Sequence, residues 1–346
     1  NAVDAAVATY GTVLAATTNN RYRVEALMGR GRANYRVFRF TTALQDFSSA
    51  AIAGSNDGEA QYWQVMTLYS LGRDDEAYKL AEEFTGSFAT APRRPDITLW
   101  LAKYDYNRGK MEEAKERFLV YVEQWPDAVW ADAALLWAGR AAFKLNDFTG
   151  AVEILGRLWK GYPESKRRAA ARFVQADALC ELARFDEAVL LLNEVISRYP
   201  ESDWVTPAWG RKGDALFSLG VDNPERFNEA MEAYSKMLAR RDITPTAALQ
   251  GEFKIGRCLE KLKQADDAID HYYTKVVLPF ERSQGDQFHN DAAVWFARAA
   301  FNAADLLVQK GNHAAATRLL RRVIDADVPG RSEARQRLQR LEQLQR

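Results

Sequence analysis

Tyr162-Pro163-Glu164-Ser165 is spelled again at Tyr199-Pro200-Glu201-Ser202, a step of 37 residues. Between the two copies lie two amphipathic patterns. Lys166 to Leu182 places Phe173, Ala176, Leu179 and Leu182 three apart, and Asp186 to Arg198 places Ala188, Leu191, Leu192, Val195 and Ile196 on one face. Both spacings predict α-helices with a single apolar stripe. Ser165 is expected to cap the first helix, and Pro163 and Pro200 each to stop the helix before them. A short helix with one apolar stripe cannot bury it alone, so neighbouring copies of the same unit must supply the other side.

The copies are present. Stepping back by 37 from Pro200 reaches Pro163 and Pro126, each preceded by an aromatic residue, Tyr199, Tyr162 and Trp125. A small residue opens the second helix of every unit: Ala6, Ala43, Ala77, Ala114, Ala151, Ala188, Ala230, Ala268 and Ala316. Four residues later stands a bulky one, Tyr10, Phe47, Phe118, Leu155, Leu192, Tyr234, Tyr272 and Leu320, with a gap at the third unit. Twelve residues before each of these alanines, from Ala43 onward, is a mostly small residue: Gly31, Val65, Ala102, Gly139, Ala176, Gly213, Gly256 and Ala304. Trp63, Trp100 and Trp137 also keep the step of 37.

These registers resemble the tetratricopeptide repeat family along essentially the whole chain. The usual period is about 34 residues. The additional residues here fall between each proline and the next small slot, where they are expected to lengthen the first helix. With the repeated Tyr-Pro-Glu-Ser, the chain is similar to repeat proteins of the bacterial envelope, such as the lipoprotein of the outer-membrane β-barrel assembly machine and the periplasmic partner of the Tol–Pal system. The resemblance implies an all-α, right-handed superhelical solenoid of antiparallel helix pairs, about nine repeats with a capping helix. It places the chain in the periplasm or at the outer membrane, with the cytoplasm as the other compartment.

Composition fits a repeat protein without adding a special chemistry. Lys plus Arg and Asp plus Glu are both 47, so no global field selects nucleic acid or anionic membrane. No apolar run is long enough to span a bilayer. Cys180 and Cys258 fall on first helices two repeats apart, too far for a disulfide if helices pack about 8–10 Å apart. They read as small side chains in the packing. Histidines 271, 289 and 313 are scattered, with none at metal-ligand spacing to another. No phosphate loop or nucleophile elbow occurs, and acidic pairs such as Asp74-Asp75 and Asp266-Asp267 sit at helix starts, where they complement the dipole. We therefore expect no enzyme, no cofactor and no metal.

One solenoid is expected over residues 1–346: a half repeat at 1–17, eight helix pairs over 21–331 and a capping helix at 332–346. Opening on a second helix predicts a missing first-helix partner upstream and leaves a face for self-association. The regular repeats of 96–200 are expected to be the stiffest. An insertion follows at Val221–Phe227, and the largest departure is a loop at Leu278–Asn290, a candidate binding feature. The last helix carries Leu338, Leu341 and Leu344 on one side, as a cap requires. Its arginine excess lacks the interleaved aromatics of a nucleic-acid surface.

In this family the inner wall is lined by one face of the first helices. Carried over by register, that face holds Met28, Arg32 and Tyr35, then Tyr62, Met66 and Tyr69. It continues through Leu99, Lys103, Tyr106 and Asn107, then Leu136, Arg140, Phe143 and Lys144. Phe173, Asp177, Asp214 and Phe217 come next, followed by Phe253, Arg257, Phe301 and Asp305. Rings interspersed with charges suit peptide recognition, although many of the rings are expected to pack between repeats. The Lys and Asn clamp with which chaperone-binding members hold a terminal carboxylate is not reproduced. The resulting expectation is a non-catalytic scaffold for a protein or peptide, with an acidic, aromatic-containing segment against the basic residues of repeats two to four. The alternatives are the helical accessory part of a larger enzyme, such as a peptidoglycan-cleaving one, and a helical-repeat RNA binder.

Overall fold

The chain must reverse between the two helices of a repeat within a few residues, and in seven of the helix pairs one left-handed residue does this, the α12–α13 turn at 220–224 being the exception. Phe38, Gly72, Gly109, Asn146, Ala183, Lys263 and Gly311 all have φ between 57° and 80°. The amide following each of them donates to a carbonyl five residues back, as in Arg39 to Asn34, Asp147 to Ala142 and Arg184 to Leu179, each at 2.9 Å. That is the bond of a Schellman turn, which satisfies the last carbonyls of the first helix. The same amide-donating residue opens the second helix, its carbonyl accepting from the alanine four residues on, as in Asp147 to Ala151 at 2.9 Å. The Asp147 side chain also caps Gly150 N–H at 2.9 Å.

The structure, a computed structural model, describes residues 2–54, 57–282 and 290–344. It is all-helical, with no strand among the described residues, and forms two compact units, residues 1–167 and 168–346. The first unit contains α1 (Ala2–Ala16), α2 (Asn20–Arg36), α3 (Phe40–Ile52), α4 (Glu59–Ser70), α5 (Asp74–Ser87), α6 (Arg94–Asn107), α7 (Met111–Gln124), α8 (Ala131–Lys144) and α9 (Phe148–Gly161). Within it each helix packs on its neighbours in sequence. The second unit contains α10 (Arg168–Glu181), α11 (Phe185–Arg198), α12 (Val205–Leu219), α13 (Glu225–Leu238), α14 (Pro245–Lys261) and α15 (Ala265–His271). A π-helical turn, Tyr272–Val277, leads from α15 into α16 (Leu278–Arg282); α17 (Asn290–Gln309), α18 (His313–Asp325) and α19 (Arg331–Leu344) follow. The chain thus has the expected fold class, a solenoid of antiparallel helix pairs.

The alanines that mark each second helix sit at the helix crossings: Ala43, Ala77, Ala114, Ala151, Ala188, Ala230, Ala268 and Ala316 are all fully buried. So are Phe47, Phe118, Leu155 and Leu192 four residues later. Helix α1 differs. None of its residues is buried, and it is held to α2 by Tyr10 lying against Gly29, with Asp4 bound to Arg39 at 2.9 Å. At the other end Ala334 and Leu341 of α19 join the core with Leu338 packed against it, as a capping helix should.

Three expectations about boundaries change. The residues after each proline, 127–130 and 164–167, form turns, so they do not lengthen the first helices, and α8 and α10 keep 14 residues each. Proline restrains the residue before it and the tight turn that follows; Trp125 and Tyr162 leave their helices with φ of −135° and −127°. Accordingly α10 starts at Arg168, and the Ser165 hydroxyl accepts from the Arg167 N–H at 3.0 Å, capping the turn before the helix. Finally, 278–282 extend the preceding helix through the π-helical turn. The remainder of the expected 278–290 loop, residues 283–289, lies outside the described residues.

Candidate functional site

In the first unit the expected inner-wall rings divide into two groups. Tyr35, Tyr69 and Tyr106 each meet the indole of the next first helix edge-on. Ring centroids are 5.3 Å apart for Tyr35–Trp63, 5.4 Å for Tyr69–Trp100 and 4.8 Å for Tyr106–Trp137. Edge-to-face contacts of this kind join successive repeats. The Tyr35 hydroxyl adds a hydrogen bond of 2.9 Å to Ser70 Oγ. These tyrosines are therefore part of the packing between repeats, and of the three only Tyr69 is exposed, at 48%. Phe143 packs edge-on to Phe148 at 5.3 Å and Met66 lies against a buried cluster around Val65 and Ile97. Tyr62 is half-buried, and burial raises its hydroxyl pKa.

Cations cover the faces that the rings leave open. Arg93 lies over Tyr62 at 4.9 Å, Lys103 over Trp130 at 5.1 Å, Arg140 over Trp137 at 5.3 Å and Lys144 over Tyr106 at 4.6 Å. Arg93 is neutralised by Glu59 at 3.0 Å and Asp96 at 3.2 Å, and Arg32 reaches Glu59 only at 3.9 Å. Lys103 and Lys144 form no ion pair among the described residues. Burial, and then the nearby Arg167 guanidinium, lower the pKa of Lys103. Asn107 is exposed on the same helix.

The second unit differs in its electrostatics. Asp177 is bound by Arg211, which also donates to Glu181 at 2.7 Å. Asp214 accepts from Lys254 at 2.7 Å and from the Tyr234 hydroxyl at 2.8 Å. The expected acidic stretch is thus matched by cations from the following first helices, and it presents no unpaired charge at Asp177 or Asp214. Phe173 packs on Trp204 at 4.9 Å and Phe217 on Phe227 at 5.3 Å. A cavity of about 580 Å³ opens between Phe173, Asp177, Arg211, Asp214 and Lys254. Burial pushes the Cys180 and Cys258 thiols up to about 11 and about 12, which keeps them protonated at neutral pH, and both are free.

Three residues of the cation–aromatic surface were not among the expected set: Arg93, Trp130 and Arg167. Their signal was present, because they share one 37-residue register that continues to Trp204 and alternates arginine with tryptophan. This register falls at the entrance of each first helix, just outside the face considered. Among the described residues no cluster of His, Cys, Asp and Glu could hold a metal ion, and no helix is long and apolar enough to cross a membrane.

The family model described as tetratricopeptide repeat matches residues 133–165 and 170–202. No curated protein matches the chain. Among solved structures, the C-terminal part of a TPR repeat-containing protein from Cytophaga hutchinsonii aligns with a TM-score of 0.58 at 14% identity, over 78% of this chain and 96% of its own. A tetratricopeptide repeat protein from Parabacteroides merdae gives 0.44 at 15% identity, over 80% of this chain and 98% of its own. MamA from Desulfovibrio magneticus gives 0.45 at 19% identity, over 56% and 97%. Residues 133–165 and 170–202 are tetratricopeptide repeats, and the helix-pair fold that contains them is that of a tetratricopeptide-repeat solenoid.

Proposed function

We propose that the chain is a non-catalytic scaffold that holds a protein segment against the first-helix face of residues 1–167, and that this segment is acidic and carries aromatic side chains. One observation carries the reading: Lys103 and Lys144 rest on aromatic faces with no carboxylate partner among the described residues. A cation on a ring face retains most of its charge for a second partner, since the contact contributes only about 0.5–1 kcal/mol at an exposed site. Rings at the same surface offer apolar contact, and aromatic residues with arginine dominate such interfaces. The acidic part of the ligand is assigned to the first unit, where Lys103 and Lys144 stand on the consecutive first helices α6 and α8. The sequence-level similarity to envelope repeat proteins supports a multiprotein assembly in the periplasm or at the outer membrane as the setting.

The test is the charge reversal Arg140→Glu with Lys144→Glu, assayed with a fluorescent peptide alternating Glu and Phe and with its Lys-for-Glu analogue. The parent protein should select the acidic peptide at low salt and lose the preference as salt rises, because screening removes the attraction between exposed charges. The double reversal should abolish the preference while the chain stays folded, read from its helical circular dichroism. Equal binding of both peptides by the parent protein would exclude the acidic-segment reading.

A further inference from the structure

Trp130 and its neighbour Val129 are large apolar side chains left in solvent, 46% and 84% exposed, on the turn that enters α8. Two cations converge on this one indole, Lys103 Nζ at 5.1 Å and Arg167 Cζ at 5.6 Å from the ring centroid. Only one of them is neutralised. Arg167 donates to Asp132 at 3.0 Å, Asp132 also accepts from the Ser165 hydroxyl at 2.5 Å, and the Arg167 backbone N–H donates to Ser165 at 3.0 Å. Arg167 is therefore held at both its backbone and its guanidinium, while Lys103 has no anion of its own among the described residues.

We propose that Trp130, Lys103 and Arg167 form an anchoring site for a side-chain carboxylate of an acidic peptide segment, with the adjacent apolar side chain of that segment resting on Trp130 and Val129. The proposal rests on the binding reading above and names its anchor. Charge matching selects the ligand. Two cations and one carboxylate leave a single positive charge, which one further carboxylate cancels, whereas a phosphate dianion overshoots. An anion placed beside Lys103 also relieves its repulsion from Arg167, a cost already present in the unliganded chain. The half-exposed indole supplies a flat, rigid apolar contact of the kind that serves as an interface anchor.

Three probes of the intact chain test this by fluorescence anisotropy: a Glu-Phe-containing acidic peptide, its Gln-Phe analogue and its phosphoserine-Phe analogue. Lys103→Met and Trp130→Ala should each weaken the Glu peptide by about tenfold or more, the loss expected for an interface anchor. The Glu-to-Gln change should weaken binding to the parent protein but have little effect on Lys103→Met, since the two lose the same contact. Saturating Glu peptide should raise the Lys103 pKa, read from its side-chain carbon shift, which a purely structural role for Lys103 would not produce. Trp130→Phe keeps the packing and should retain most of the affinity, guarding against a folding defect in Trp130→Ala. If Lys103→Met and Trp130→Ala bind normally while the Arg140 and Lys144 reversal abolishes binding, the anchor is wrong and the wider face survives. Failure of all three peptides to bind the parent protein overturns both, and a phosphoserine peptide binding about tenfold tighter than the Glu peptide overturns the assigned ligand class.

Discussion

A Cβ placed on Gly213 would lie 2.4 Å from Cε1 of Tyr234, inside any tolerable contact distance. The same relationship recurs at Gly31 with Phe47, at 2.6 Å, Gly139 with Leu155, at 2.5 Å, and Gly256 with Tyr272, at 2.3 Å. The small slot of each first helix and the bulky slot of its second helix therefore form one packing pair, in which one member is large because the other is small. The third repeat inverts the pair: Val65 stands in the small slot and Ala81 in the bulky one, both fully buried in one cluster.

That inversion can be tested by restoring the common pattern. Ala81→Phe alone should lose about 1–3 kcal/mol from overpacking against Val65. Adding Val65→Gly should recover at least about 1 kcal/mol of it, the mark of two positions that share one space. Urea unfolding of both single variants and the double variant measures the coupling, and strict additivity would break the pairing.

The left-handed turn residues differ in cost. Lys263, with φ of 62°, sits where an L side chain crowds its own carbonyl, while Gly109, with φ of 80°, meets no such clash. Lys263→Gly is expected to gain about 0.5 kcal/mol after the larger entropy of the unfolded chain is subtracted, and Gly109→Ala to lose about 1 kcal/mol. Thermal melts of the two should shift in opposite directions.

Asp105 is fully buried and bound to Arg117 at 2.8 Å. Burial raises its carboxyl pKa above 3.8, partly offset by Arg117 and then by Tyr78. The folded chain thus holds this proton more tightly than the unfolded chain. The group's contribution to stability is greatest in acid and falls as pH rises from 3.8 through the folded value. Arg117→Met removes the offset and should cost about 3 kcal/mol at neutral pH, where an unpaired charge stays buried. The deficit should narrow as the pH is lowered and Asp105 takes up its proton. A deficit independent of pH would assign the loss to packing of the arginine stem.

Helix α1 buries no residue, whereas Ala188, Leu192 and Val195 of α11 are fully covered. Amides of Val7 to Leu14 should exchange about tenfold or more faster than those of Val189 to Ile196, because fraying segments open at little free-energy cost. Equal protection at concentrations where the chain is monomeric would show that α1 is held by more than its contact with α2.

The helices, their order and the small-residue crossings were legible in the amino-acid sequence because each is encoded inside one repeat and spelled many times over. An alanine at every second-helix entrance and a proline after three of the exits, at 126, 163 and 200, are local statements, and averaging over copies removes their noise. What the sequence alone left open depends on distances between repeats. Tyr35, Tyr69 and Tyr106 read equally well as ligand contacts or as packing, and only the spacing of neighbouring first helices turns them onto Trp63, Trp100 and Trp137. Asp177 and Asp214 look like free charges until Arg211 and Lys254, contributed by the following first helices, close on them. The left-handed turns at Phe38, Ala183 and Lys263 carry no glycine to announce them, because the Schellman bond and the packing of the helix pair hold the backbone there against its local preference. Trp130 is exposed for a similar reason. It stands on the turn into α8 with Lys103 and Arg167 about its ring, a juxtaposition that arises only when successive repeats are stacked.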